Sequence, residues 1–333
     1  MEQEIMKLKI LFFTAIITCL SPLANADFQV IALGIQGGVD SDNLTSYLIK
    51  SDNESNYLGL DAGTTITGIE KAIKFGSFPE LNDLNTGKYS QVGFVLNNLI
   101  SSYWISHAHL DHVAGLVIAS PEEDSKNIYG STETIDYLSN NYFNWVVWPN
   151  LTNIGRPPRL GKFNLQAKAM RESFEIAGTG LTGYMYPLNH SGYISSMILI
   201  KHRNESFAFF GDTGSDSVQK TNELHAVWTA LASEVKNKRL RGMIIETSFE
   251  NKHPEKKLFG HLTPRLLLGE LRVLEMLCGG KGSLRGLKII ISHIKPSLNK
   301  DHNPVKVIFN ELSEENEMGV DFIFPVQGER YVF

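Results

Sequence analysis

Short apolar runs alternate with polar turns along most of the 333-residue chain. FQVIALGI, LTSYLIK, YLGLDAGT and LISSYWI come early, and SSMILIKH, SFAFFGDTG, LRGMIIETSF, LKIIISHIKP, VDFIFPV and RYVF follow later. They are rich in Val, Ile, Phe and Tyr and are bounded by Gly, Asp, Asn and Ser, the pattern of β-strands. Between them HLDHVAGLVIAS, NELHAVWTALASEVKNK and TPRLLLGELRVLEML read as helices, and in the last the leucines recur at helical spacing. Pro264 directly after Thr263 predicts an N-cap followed by a first-turn proline. Strands dominate first and mix with helices afterwards, which predicts two packed sheets with helices outside. No internal repeat or low-complexity tract breaks this order. The segment 120–161, containing YFNWVVWPN and IGRPPRLG, reads as an elaboration on that core. Its aromatics at 142–148 are expected to be local core, with base stacking as the alternative role.

Composition adds bounds. With 42% hydrophobic and 20% charged residues, the chain is globular in type and long enough for one large or two ordinary domains. A net charge of −5 without a basic stripe argues against a nucleic-acid polymer as partner. At the N-terminus MEQEIMKLK, then ILFFTAIITCL, then SPLANA form the three-part pattern of a secretory signal peptide, with cleavage expected after Ala26. That assigns residues 1–26 to export and 27–333 to the working domain. The apolar run is too short to favour a membrane span, so no stable anchor is expected once it is cleaved. Cys19 lies inside this segment, and Thr18 before it speaks against a lipoprotein site. Its removal would leave Cys278, in LEMLCGG, without a disulfide partner and reading as a small buried hydrophobe. Export without disulfides suits a bacterial periplasm.

The chemistry concentrates in SHAHLDHVAGL, residues 106–116, directly after an apolar strand. His107 and His109 are two apart, so an extended segment points both the same way, and Asp111 and His112 fall in the turn into the next helix. Burying four such groups is costly unless a partner compensates. Imidazoles and a carboxylate suit Zn²⁺, and Mn²⁺ or Fe²⁺ less selectively. Further candidates share one pattern, a polar residue at the end of an apolar run: His190 in GYMYPLNHSG, Asp212 in SFAFFGDTG and His293 in LKIIISHIKP.

HAHLDH with a later His, Asp and His in that order, together with DAGT at 61–64, resembles the metallo-β-lactamase fold superfamily. LGIQGG, NLTSYL, SHAHLDHVAGL, FFGDTG, IETSF, FGHLTP and ISHIKP more specifically resemble class II cyclic-nucleotide phosphodiesterases, over nearly the whole chain from Phe28. The resemblance implies an αβ/βα sandwich of two packed mixed sheets flanked by helices, with a two-metal site at the rim. It implies that His107, His109 and His190 hold one divalent ion and that Asp111, His112 and His293 hold the other. Asp212 would bridge them, with a shared hydroxide between; Zn is the favoured metal, Mn or Fe the alternatives. Hydrolysis of a cyclic diester expels an alkoxide and so needs a general acid. IETSF and FGHLTP resemble the Glu and His elements of related tRNA-processing nucleases, which casts His261 as that acid and Glu246 as its orienting carboxylate. His261, Glu246 and Asp111 are thus the expected catalytic residues. The implied substrate is a 3′,5′-cyclic nucleotide, cAMP before cGMP, converted to the 5′-monophosphate.

Gly38, Asn43 and Thr45, with Gly37, match the family opening and are candidate substrate contacts, although a tight turn explains the glycines as well. Asp61 reads as a structural hydrogen-bond acceptor and Thr213 as support for Asp212. His202, His225, His253 and His302 are expected at the surface. Two rival readings stay open: another hydrolase of the same fold (nuclease, lactonase or sulfatase), or a metal-stabilised nucleotide-binding protein without catalysis.

Overall fold

Alternation within the strands decides the layering in the computed structural model, which describes residues 28–52, 54–82 and 84–333. The expected export segment, 1–26, lies outside the described residues. In β1 (Phe28–Gly34), Val30 and Ala32 join the layer between two sheets, whereas Ile31 and Leu33 pack under helices. Both faces are buried, so this strand reads as a nearly continuous apolar run. Its sheet contains β2 (Ser46–Ser51), β3 (Tyr57–Leu60), β4 (Ile100–Trp104), β5 (Lys126–Gly130) and β6 (Phe163–Ala167), in that order. The second sheet holds β7 (Ser173–Ile176), β8 (Leu181–His190), β9 (Tyr193–His202), β10 (Glu205–Phe210), β11 (Leu240–Glu246), β12 (Lys288–Ser292) and β13 (Asp321–Ile323). β14 (Arg330–Val332) returns to the first sheet and pairs antiparallel with β1, Val30 opposite Tyr331.

Each sheet is antiparallel in one half and parallel in the other: β3 to β6 in the first, β10 to β13 in the second. Parallel strands need crossovers, and the crossovers supply the outer helices. α1 (Ile66–Lys74), α2 (Gln91–Phe94), α3 (Leu110–Ala119) and α4 (Thr132–Tyr137) lie over the first sheet. After the short α5 (Asp216–Gln219), α6 (Glu223–Lys236), α7 (Pro264–Leu277) and α8 (Pro304–Glu314) cover the second. In α7, Leu267, Leu268, Leu271 and Leu274 form the buried stripe, each contributing about 1.5–3 kcal/mol by leaving water. Pro264 opens that helix, and the Thr263 hydroxyl accepts from the Leu266 N–H at 3.5 Å, as the sequence predicts. Between the sheets Trp104 meets Phe209 edge-on, with ring centroids 5.8 Å apart. No helix among the described residues is long and apolar enough to cross a membrane.

Four expectations change. The segment 120–161 is more than an appendage, because β5 is an interior strand of the first sheet. Its aromatics divide: Phe143 is fully buried and Trp148 donates to Ser120 Oγ at 3.0 Å, while Trp145, pinned to the Pro158 carbonyl at 2.8 Å, stays partly exposed. His202 is buried, at the end of β9 where it stands opposite Glu205 in the β9–β10 hairpin. Cys278 is only partly buried at the edge of the second helical layer.

Candidate metal centre

The parallel strands of both sheets end at one rim, where open α/β sheets place their ligands. β4 leads into His107 and His109, and α3 begins at Leu110 with Asp111 and His112 in its first turn. β8 ends on His190, Asp212 follows β10 by two residues, and His293 follows β12 directly. These seven side chains meet. The Asp212 carboxylate stands in the middle: Oδ1 is 3.3 Å from His112 Nε2, and Oδ2 is 3.2 Å from His293 Nε2 and 3.8 Å from Nε2 of both His107 and His190. His107, His109, His190 and Asp212 form one group with ligand-capable atoms in reach of one another, and Asp111, His112 and His293 form another.

Four of the imidazoles spend Nδ1 on an anchor and leave Nε2 for the centre. His112 Nδ1 bonds Asp61 Oδ2 at 2.7 Å, His190 Nδ1 donates to the Gly260 carbonyl at 2.9 Å, and His293 Nδ1 meets Ser248 Oγ at 2.9 Å. His107 Nδ1 meets Ser106 Oγ at 3.0 Å. Such partners fix tautomer and ring orientation in metal sites. Asp61 also accepts from the Ser106 N–H at 2.7 Å and hydroxyl at 2.8 Å, so this fully buried acceptor steadies both halves of the HAHLDH turn. Asp61 and His293 both take left-handed backbone conformations, φ 54° and 58°, a departure found preferentially where function demands it. Two glycines permit the close approach. A Cβ at Gly37 would lie 2.3 Å from the His293 ring, and one at Gly260 would lie 2.4 Å from the Ser191 nitrogen, beside His190. Replacing Asp61 by asparagine should weaken metal affinity about 10–100-fold while preserving side-chain size. Metal titration monitored by competition with a chelating dye measures this, and wild-type affinity in the variant would refute the orienting role.

The donor set fits divalent cations. His107 Nε2 is buried with no hydrogen-bond partner among the described residues, aimed at the centre. Burial, with His112 adding to it, pulls His107 well below the usual imidazole range, and burial and His190 lower His109 to about 4. Both rings are therefore neutral at pH 7, with a lone pair to offer. Burial alone would raise Asp111 and Asp212, but His293 and His112 outweigh it and hold both carboxyls far below their ordinary values. Burial opposes charge on His112 too, yet Asp212 and Asp61 raise it well above normal. Carboxylates sequestered this far from water require positive charge beside them.

Beside the cluster, His261 Nδ1 is 2.8 Å from Glu246 Oε1. Glu246 is buried and also accepts from the Thr213 N–H at 2.8 Å, the Leu262 N–H at 3.2 Å and the Ser248 hydroxyl. Burial favours the neutral carboxyl, but the His261 charge and hydrogen bond outweigh it and lower the Glu246 pKa. For His261 burial pulls down, whereas Glu246 and Asp212 together raise its pKa above the usual value. A cavity of about 350 Å³ opens over this pair, walled by Asp212, His261, Lys295, Phe249, Phe259 and Tyr193. A larger cavity, about 740 Å³, lies elsewhere, near the start of β11 and β12, and touches none of these groups.

Some expectations shift in detail. The Thr213 hydroxyl donates to the Gly214 carbonyl at 3.2 Å, and only its backbone reaches the site, to hold Glu246 rather than Asp212. Asn43 and Thr45 are buried and committed to the opening turn, Asn43 Oδ1 accepting from the Ile35 N–H and the Thr45 hydroxyl donating to the Gln36 carbonyl. These bonds hold the opening turn that carries Gly37 and Gly38 to the rim. Gly38 lies nearer, at the edge beside Lys295. Sequence reasoning passed over Ser248 and Lys295. Lys295 Nζ is 3.6 Å from Asp111 Oδ2, and its place two residues after His293 was the available signal.

Two mixed sheets enclosed by helices, with a His/Asp cluster able to hold metal at the rim, place the chain in the metallo-β-lactamase fold class. Residues 26–328 match the class-II cAMP phosphodiesterases, and the chain belongs to that family. A probable 3′,5′-cyclic-nucleotide phosphodiesterase of Yersinia pestis is 48% identical, over 94% of this chain and 91% of that protein. A 3′,5′-cyclic-nucleotide phosphodiesterase of Aliivibrio fischeri is 43% identical, over 98% and 99% of the two chains. The crystal structure of unliganded yeast PDE1 superposes with a TM-score of 0.81 at 21% identity, covering 92% of this chain and 99% of its own, which speaks for the fold.

Proposed function

We propose that this chain hydrolyses 3′,5′-cyclic nucleotides to nucleoside 5′-monophosphates, with cAMP favoured and cGMP accepted. The observation that carries this reading is the juxtaposition of the His/Asp cluster with an imidazole whose proton is held in place by Glu246. His107, His109 and His190 would hold one divalent ion and Asp111, His112 and His293 the other, with Asp212 between them. When bound, such ions, Zn before Mn or Fe for an imidazole-rich set, supply positive charge to phosphate oxygens and acidify water towards neutrality. His261, its Nδ1 occupied by Glu246, presents Nε2 to the leaving O3′ and protonates it as the P–O3′ bond breaks. Lys295, at the edge of the same cavity, adds charge where the phosphate would lie.

The export pattern of residues 1–26, and Cys278 as the one cysteine that its cleavage would leave, support action in a bacterial periplasm. Incubating the purified protein with cAMP and separating the products is the test, and 5′-AMP is the expected product. Untouched cAMP and cGMP, beside cleavage of a lactone, a sulfate ester or RNA, would overturn the substrate assignment. Retention of cAMP without turnover would favour the binding-protein reading.

A further inference from the structure

A second cavity, of about 320 Å³, adjoins the metal centre and shares His109 and Tyr193 with it. Its volume falls in the range of small-molecule pockets, about 300–1,000 Å³. Tyr137, Asn141, Tyr142 and Ile194 line it alongside His107 and Ala108. The backbone makes this wall deliberately. α4 runs into a π-helical turn, Leu138–Tyr142, closed by the Phe143 N–H on the Leu138 carbonyl at 3.0 Å. Widened turns of this kind recur at functional sites. Tyr137 and Asn141 share a face at the usual four-residue spacing, and the widening brings Tyr142 to the same side. The Tyr142 hydroxyl donates to the Ala108 carbonyl at 2.7 Å, which ties the turn to the metal-bearing segment between His107 and His109. Tyr193 is 57% exposed and Tyr137 44%, unusual for aromatics that border a polar site. Tyr193 is braced by His109, with ring centroids 5.5 Å apart and planes at 64°.

The cavity on the other flank of the metal centre offers no such platform. Its walls carry Lys252, His253, Lys295 and His302, and the Phe249 ring there is already stacked on His253 at 4.1 Å and 15°.

We infer that the Tyr137–Asn141–Tyr193 cleft is the nucleobase subsite, with Tyr193 as a stacking face and Asn141 as the residue that discriminates adenine from guanine. The inference rests on the proposed function and deepens it. A planar base with a polar rim needs an apolar face and one edge contact. A carboxamide offers a donor and an acceptor side by side; adenine answers with its N7 acceptor and N6 donor, whereas guanine presents two acceptors, O6 and N7. Asn141 is exposed and lines the cleft, which places its amide within reach of a ligand there.

Steady-state kinetics with cAMP, cGMP and the abasic 1-deoxyribose 3′,5′-cyclic phosphate test the assignment in the metal-loaded protein. Tyr193→Ala should raise KM for both cyclic nucleotides about tenfold, with a far smaller rise for the abasic substrate, and Tyr193→Phe should restore it. Asn141→Ala should lower the cAMP-over-cGMP ratio of kcat/KM about tenfold. Equal KM changes for cyclic nucleotide and abasic substrate in Tyr193→Ala, or an unchanged ratio in Asn141→Ala, would overturn the inference. A wild type that cleaves no cyclic nucleotide would instead overturn the proposed function. Equilibrium binding of 5′-AMP against ribose 5-phosphate then decides the cleft alone: a preference for 5′-AMP lost in Tyr193→Ala supports it, and equal affinities sink it.

Discussion

Asp212→Ala should lose turnover of cAMP by about 10³-fold or more and should retain less bound metal than wild type. Both oxygens of this carboxylate are engaged, Oδ1 near His112 and Oδ2 within 3.8 Å of His107, His190 and His293. The carboxylate stands between the two halves of the cluster, so its loss removes the group they share. Metal catalysis of phosphoryl and acyl chemistry supplies several kcal/mol to the transition state, and each 1.36 kcal/mol is about tenfold in rate. Elemental analysis gives the metal content, and kcat/KM on cAMP gives the rate. A strong chelator should reproduce the loss in the wild type, with recovery on adding back a divalent ion. Asp212 lies at the rim, outside the apolar layers, so circular dichroism should show the fold retained. Wild-type activity in the variant, or in the chelated protein, would refute the metal reading.

The second large effect is expected at His261. His261→Ala should cut kcat by about 10²–10⁴-fold, the usual worth of a positioned proton donor. Metal content discriminates between two roles, because His261 also lies within ligand distance of Asp212 and His293. The geometry favours the acid: Nδ1, 3.8 Å from Asp212, is already committed to Glu246 at 2.8 Å. The variant should therefore load metal as the wild type does. It should also lose much less on a diester with a nitrophenolate leaving group, which needs no proton. A loss equal on both leaving groups, or a metal-depleted variant, would remove the acid role.

A general acid works protonated, so activity should fall as pH rises through the His261 pKa. Burial lowers that pKa, but Glu246 and Asp212 together raise it, which carries activity to higher pH than an ordinary imidazole would allow. Glu246→Gln removes the larger of the two raising charges and should move the alkaline fall to lower pH. A profile unchanged in Glu246→Gln would contradict the coupling.

The site was unusually legible because its residues break the local pattern. His107, His109, Asp111 and His112 sit at the end of an apolar strand, and His190, Asp212 and His293 repeat that mismatch. Imidazole and carboxylate are costly there unless something compensates, so their position alone signals chemistry. Glu246 and His261 were reached through resemblance and the need for an acid. Ser248 and Lys295 were missed because serine and lysine in turns are ordinary. The strands KNIYG, FNLQA and SFEI were missed as well, since they are short and mix polar with apolar residues.

Residue type and periodicity are local properties. They determined the strand-rich order, the amphipathic α6 and α7, the Thr263–Pro264 helix start and the His-x-His-x-Asp-His turn. Distances between remote segments belong to the packing of the two sheets. Only that packing set Asp61 against His112, 51 residues away, and Asp212 between His112 and His293. It likewise turned Asn43 and Thr45 inward, and it brought Asn141 and Tyr193, from different layers, to the wall of one cleft. A side chain's chemistry is written in its own position, but its partner is chosen by where the other strands end.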